Sequence, residues 1–246
     1  MRERSLFKGI CNEGLGGVRD VEHFVFATLF FPHSLTPLNA MIGLPFRKSN
    51  PTVLRGQRIY LREPMMSDFA SWASLREQSR AFLAPWEPTW PDDDLTKSAF
   101  RHRMRRFQDE ISAGTGYPFF VFRNNDNRLL GGITLGNIRR GVGQNGMIGY
   151  WSGEPYAGKG YMTEALSLVI PFAFDQLRLH RIEAACIPHN ERSIRLLEKA
   201  GFEREGLLRS YLKINGFWQD HLLFALIESD KRMTDNRKIN GKAGRS

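Results

Sequence analysis

The stretch EPYAGKGYMTEAL, Glu154–Leu166, decides how the rest of the chain is read. With Gly153 in front, it places Gly153, Gly158 and Lys159 at the spacing of a nucleotide-binding P-loop, G-x-x-x-x-G-K-S/T. The hydroxyl that would hold magnesium is missing, because position 160 is glycine. A dinucleotide fingerprint fails as well, since its third glycine falls on Thr163. What remains is a strand ending at Trp151, a glycine-permissive loop and a helix from Tyr161. The first N–H groups of such a helix have no intrahelical partner and face an anion-binding space. Gly158 and Gly160 allow the backbone angles and the close ligand approach that such a loop needs.

Outward from the loop, the pattern of elements is regular. Upstream, Gln57–Glu63 alternates as a strand and Ser67-Asp68 caps a helix over 68–79. PWEPTWPDDD (Pro85–Asp94) is a loop rich in proline and tryptophan, and Thr96 opens an arginine-rich helix to Ala113. Tyr117–Arg123, Leu129–Arg140 and Gly146–Trp151 form a three-strand meander. Downstream, a helix over Tyr161–Leu177 precedes a buried strand, His180–Ile187, and a second helix, Asn190–Ala200, ends at Gly201-Phe202. Strands at Gly206–Leu212 and Trp218–Ile227 close the chain as a hairpin. The order predicts a mixed α/β single domain: a central, mostly antiparallel twisted sheet of about seven strands with about four flanking helices.

The chain of 246 residues is 41% hydrophobic and 25% charged, ordinary for a globular protein. Its formal net charge of +9 is unevenly spread. The tail 231–246 carries six basic side chains against Asp235, residues 1–45 balance, and the body 46–230 holds a small basic surplus. This gives a basic nucleic-acid groove in the body little support and leaves a solvated basic tail able to make weak RNA or ribosome contact. The apolar run Phe24–Phe31 is too short to span a membrane. Residues 1–45 read as a loosely packed N-terminal extension, with Met41 as an alternative start, and 46–230 as the functional domain. Cys11 and Cys186 fit no disulfide or metal pattern, and a cytoplasmic protein without metal or membrane partner is expected.

Two further stretches extend the reading. PHNERSIRLLEKAGFEREG (Pro188–Gly206) places Asn190 about thirty residues beyond the glycine loop, with room between them for one helix and one strand. YLKINGFWQDHLLFAL (Tyr211–Leu226) supplies the closing hairpin. Together with Gly158-Lys159-Gly160 these resemble the GNAT superfamily of acetyl-CoA-dependent N-acetyltransferases over residues 55–229. Within it they are most similar to the branch that acetylates alanine at ribosomal-protein N-termini. Pro155 departs from the Gln or Arg that opens the superfamily's loop motif.

The resemblance implies a direct attack by a primary amine on the thioester of acetyl-CoA in a ternary complex. It implies cofactor contacts from Tyr150, Trp151, Gly158, Lys159, Gly160, Tyr161, Met162, Thr163, Asn190 and Ser193. Where many members carry a tyrosine seven residues after the asparagine, this chain has Leu197, and the branch's alternative acid matches Ser193. Ser193 is therefore the expected catalytic residue. No motif assigns a base; Glu154, Asp220 and His221 are candidates by position. The implied acceptor is an N-terminal alanine or serine of a ribosomal or other protein, and the implied state is a monomer or homodimer. A small-molecule amine acetyltransferase, and a non-catalytic acyl-CoA-binding or RNA-associated module, are the alternatives.

Overall fold

The computed structural model describes residues 52–230. The N-terminal extension and the basic tail 231–246 lie outside the described residues.

Among the described residues eight strands form one sheet in the order β1-β2-β3-β4-β5-β6-β8-β7. In chain order the elements are β1 (Val53–Arg55), β2 (Ile59–Arg62), α1 (Phe69–Gln78), α2 (Arg80–Leu83), α3 (Lys97–Ala113), β3 (Tyr117–Arg123), β4 (Leu129–Arg139) and β5 (Asn145–Ser152). They continue with α4 (Tyr161–Pro171), β6 (Arg181–Cys186), α5 (Glu191–Lys199), β7 (Glu203–Ile214) and β8 (Phe217–Ile227). Every pairing is antiparallel except β5 with β6, which is parallel. The two elements beyond the expected set are β1 and α2. A three-residue strand and a four-residue helix are too short to show a period in sequence.

The run YPFFVFR shows why the sheet is covered on both faces. Phe119 and Val121 of β3 enter the core shared with α4 and α5, whereas Phe120 and Phe122 enter a second core with Trp72 and Leu75 of α1 and Phe100 and Met104 of α3. Alternate side chains of a strand point to opposite faces, and a continuous apolar run therefore needs two cores. Thr96 caps α3 through its hydroxyl, which accepts from the Ala99 N–H at 3.2 Å, and Gly114 ends it with φ 67°.

The helix expected over Tyr161–Leu177 changes character at Pro171. Proline has no N–H to continue the α-helical ladder, and Phe172–Gln176 winds on as a wider π turn. β7 begins earlier than expected, at Glu203, and its register against β8 shifts between Leu208 and Leu212.

Candidate active site

The site is built on the one parallel pairing. β5 and β6 pair only at Asn145–Arg181, Gly146–Ile182 and Met147–Glu183. Beyond those pairs β5 runs to Ser152 and β6 to Cys186 without further ladder pairing. Each diverging strand is held on its outer edge: β5 by β4 as far as Gly131–Ser152, and β6 by β8 as far as Cys186–Leu222. The gap is thus part of the scaffold. It opens into a cleft of about 640 Å³ lined by both free edges, Ile148–Ser152 and Ala184–Ile187. That is a volume ordinary for a site that buries a sizeable ligand.

At one mouth lies the glycine loop. Gly158 (φ 74°) and Gly160 (φ 79°) are both left-handed, and Gly160 is the residue before α4. Among the described residues no side-chain hydrogen bond caps that helix. The first bond of the ladder is Glu164 N–H to the Gly160 carbonyl at 3.1 Å, and the amides of Tyr161, Met162 and Thr163 precede it beside the cleft. The loop is pinned by the residue that precedes β2. Arg58 donates from Nη1 to the Lys159 carbonyl at 3.1 Å and from Nε to Glu164 Oε2 at 2.9 Å, and its guanidinium lies 5.0 Å from the Tyr161 ring centre. Pro155 sits in a tight turn, Glu154–Tyr156, whose Glu154 N–H donates to the buried Ser79 Oγ at 2.9 Å.

Deeper in the cleft, Asn190 caps α5. Its side-chain oxygen accepts from the Ser193 N–H at 3.1 Å. The cap fixes Ser193 in the first helical turn, and Ser193 Oγ meets the Tyr150 hydroxyl at 2.6 Å. Burial pushes the Tyr150 phenol well above its ordinary value, and keeps it protonated at neutral pH. Cys186 completes this wall; burial raises its thiol to about 11, against a pull from the Ser193 hydroxyl. Leu197 is fully buried in the core under α5. The phenol that α5 lacks at position 197 is therefore present in the cleft, but it comes from β5.

The structure brings Tyr150, Trp151, Gly158, Gly160, Tyr161, Met162, Thr163, Asn190 and Ser193 to the cleft wall. Lys159 differs: its side chain is exposed, away from the lining, and the loop uses its backbone carbonyl. Trp151 turns to the α1–α3 side, into space that β4 leaves by having Gly132 where a Cβ would lie 2.5 Å from the indole nitrogen. The arginine-rich α3 contributes nothing to the lining; its Arg103 is spent on Asp94 at 2.7 Å.

The tryptophan loop brings Glu87 to the lining, and its buried partner Arg76 comes from α1, a pairing the sequence does not show. Glu87 and Arg76 form a buried two-pronged ion pair with both bonds at 2.8 Å, and Trp90 donates to Glu87 at 2.7 Å while lying 4.0 Å from the Arg76 guanidinium. Burial raises the Glu87 carboxyl, opposed by Arg76 and by the indole. The Glu87 carbonyl also accepts from the Asn215 N–H at 2.9 Å, tying the tryptophan loop to the β7–β8 turn. Of the three base candidates, Glu154 is exposed and outside the lining, and Asp220 accepts from the Ser210 N–H at 2.7 Å. His221 lines the cleft. Among the described residues no group of three or more His, Cys, Asp or Glu is arranged to hold a metal ion, and no helix is long and apolar enough to cross a membrane.

Comparison with known proteins agrees with this geometry. Residues 58–203 match the acetyltransferase (GNAT) domain family. The chain is 39% identical over 178 residues to the probable N-acetyltransferase YjcK of Bacillus subtilis (strain 168), covering 72% of this chain and 98% of the relative. It is 34% identical over 188 residues to the ribosomal protein uS5-alanine N-acetyltransferase of Escherichia coli (strain K12), covering 75% and 96%. Among solved structures, the ribosomal-protein-S5-alanine acetyltransferase of Vibrio fischeri matches with a TM-score of 0.68 at 32% identity, over 73% of this chain and 98% of that one. RimJ of Mycobacterium smegmatis, in complex with CoA-disulfide, matches with the same TM-score and identity over 73% and 88%. The chain belongs to the GNAT family and is an N-acetyltransferase.

Proposed function

We propose that this enzyme transfers the acetyl group of acetyl-CoA to the α-amino group of a protein that begins with alanine or serine, with a ribosomal protein as the acceptor. The observation that carries the acceptor class is the 34% identity to a uS5-alanine N-acetyltransferase along 96% of that relative's length. A second feature favours a polypeptide over a small free amine. Beyond Ile214, which lines the cleft, the β7–β8 hairpin turns and presents Phe217 and Trp218, 69% and 64% exposed. Exposed aromatic side chains beside an acceptor opening suit an extended chain.

The residues fit the donor. The uncapped start of α4 and the left-handed glycines form an anion cradle, and Arg192, Arg195 and Lys199 line the cleft from α5. Acetyl-CoA supplies a thioester carbonyl open to attack and a thiolate as leaving group. The chain's own part is to hold, orient and move protons. The free edge of β5 offers backbone N–H groups to the oxygen that becomes negative. Ser193 Oγ donates toward the leaving sulfur, with the Tyr150 hydroxyl behind it at 2.6 Å to replace that proton. Both diverging strands stay unpaired in the gap, so an amine can approach from the hairpin side while the α4–α5 side is filled.

The test is thiol release from acetyl-CoA across a panel of N-terminal peptides and free amines. Preference for alanine-first or serine-first basic peptides is the expected result. Turnover of free amines alone would overturn the protein acceptor.

A further inference from the structure

His221 is an imidazole that folding has buried without using up. It is 3% exposed, yet it lines the cleft. β8 pairs with β6 as far as Leu222–Cys186, and His221 stands one residue beyond that last pair, level with the mouth of the gap. Leu222, Phe224 and Leu226 point into the α4–α5 core, so strand alternation turns His221 to the opposite, hairpin-side face. Its Nδ1 lies 3.0 Å from the Gln219 carbonyl, which can only accept. That bond sets the tautomer: Nδ1 carries the hydrogen and Nε2 keeps a lone pair. Nε2 has no hydrogen-bond partner among the described residues.

The neighbours hold the ring in place. The β7 bulge gives Ser210 a φ of 45°, and Asp220 accepts from its N–H. The bulge brings Tyr211 edge-on to the imidazole, with ring centres 5.6 Å apart. A buried, oriented ring with one nitrogen anchored and the other open to a ligand space is the arrangement of a proton acceptor.

We propose that His221 Nε2 takes the proton from the incoming ammonium group. The inference rests on the acetyl-transfer reading given above. The nitrogen loses two protons in all. The first passes to Nε2, and from there to solvent, before the lone pair attacks. The second leaves as the C–N bond forms and the C–S bond breaks and also passes through Nε2 to solvent, while one solvent proton returns to the Tyr150–Ser193 pair to replace the one the sulfur has taken.

The groups around the ring leave this task to it. Glu87, across the cleft, already accepts with both oxygens from Arg76. Tyr211 on β7 and Tyr150 on β5 are both raised by burial, and Cys186 on β6 stands at about 11, so all three stay neutral near pH 7. Asp220, on the same strand, is engaged with Ser210 and adds only a modest raising influence. Arg192, Arg195 and Lys199 lie on α5, on the other side of the gap. Burial lowers the His221 imidazole below its ordinary 6.5, which keeps it unprotonated at neutral pH.

The experiment compares wild type with His221→Gln and His221→Asn, measuring kcat/KM for an alanine-first peptide from pH 5 to 9, alongside CoA affinity. Near pH 7 roughly a tenth of an α-amino group is neutral, and the variants should lose about tenfold or more there. At pH 9 the amine arrives already neutral and the deficit should close to about twofold, with CoA affinity unchanged throughout. Added imidazole should restore part of the loss in His221→Ala. An equal deficit at pH 7 and pH 9, or full activity at pH 7, overturns the proposal. Wild type gives an independent reading: its kcat must fall on an acid limb below pH 6.5, and a flat profile there also overturns it. If wild type turns over only free amines, the protein acceptor falls and the same comparison is made on that amine, with the closing point moved to its own pKa.

Discussion

The Tyr150 hydroxyl and Ser193 Oγ stand 2.6 Å apart across the gap between β5 and α5. Forty-three positions separate them in the chain, and only the divergence of β5 from β6 lets the two hydroxyls meet. The pair predicts a graded loss. Ser193→Ala should lower kcat about a hundredfold, within the range of general acid catalysis, and Tyr150→Phe by less. The double variant should be little worse than Ser193→Ala, because the two act in one relay. Steady-state kinetics with CoA affinity as control checks this, and strictly multiplicative losses would break the relay.

At the glycine loop, Gly160 has φ 79°, and a Cβ there would lie 3.2 Å from Arg58 Nη2. Gly160→Val should cost about 1–3 kcal/mol of stability through backbone strain and weaken CoA binding at least tenfold. Calorimetric titration with CoA and denaturant unfolding report the two effects separately. Unaltered CoA affinity would remove the loop from the donor site.

The tryptophan loop divides into two tasks. Trp86 lines the cleft and packs on His189 with ring centres 5.4 Å apart, whereas Trp90 covers the Arg76–Glu87 pair from outside the lining. Trp86→Ala should raise the acceptor KM and spare acetyl-CoA. Trp90→Ala should lower unfolding free energy by about 2 kcal/mol, the cost of leaving a buried partner short of a bond. Kinetics and urea titration on the two variants test the division.

His221 also links pH to stability. Its imidazole is lowered by burial, so the folded state binds a proton less readily than the unfolded chain. Its stabilising contribution is complete above about pH 6.5 and is lost as pH falls through the lowered folded value. Between pH 7 and 5, wild type should therefore lose more unfolding free energy than His221→Asn, whose side chain does not titrate. Parallel urea titrations at the two pH values measure the difference.

Much of this was legible in the residues. β3 was placed to the residue because YPFFVFR is a continuous apolar run ended by the turn NNDN, and Thr96 marked the start of α3. Asn190 with Ser193 in the first turn of α5 could be read because capping is local. The contacts that complete the site are not local. Arg58 reaches Lys159 over 101 positions, and Arg76 meets Glu87 only because α1 and the tryptophan loop fold against the same wall. Tyr150 could be named as a strand residue beside the site, but its partner depends on how far two parallel strands separate. Single-sequence periodicity carries no information on that distance.

The short β5–β6 contact has one more consequence. The sheet is held across its middle by three residue pairs, so β6, β8 and β7 form a flap joined to β1–β5 along a narrow seam. Within Ile148–Ser152 and Ala184–Cys186 the alternate amides that face the gap have no ladder partner across the seam and should exchange with deuterium ahead of their neighbours bonded to β4 or β8. A molecule filling the gap would stand in for the missing ladder. Slowing of exchange confined to those two edges would map its path through the sheet without any crystal of the complex.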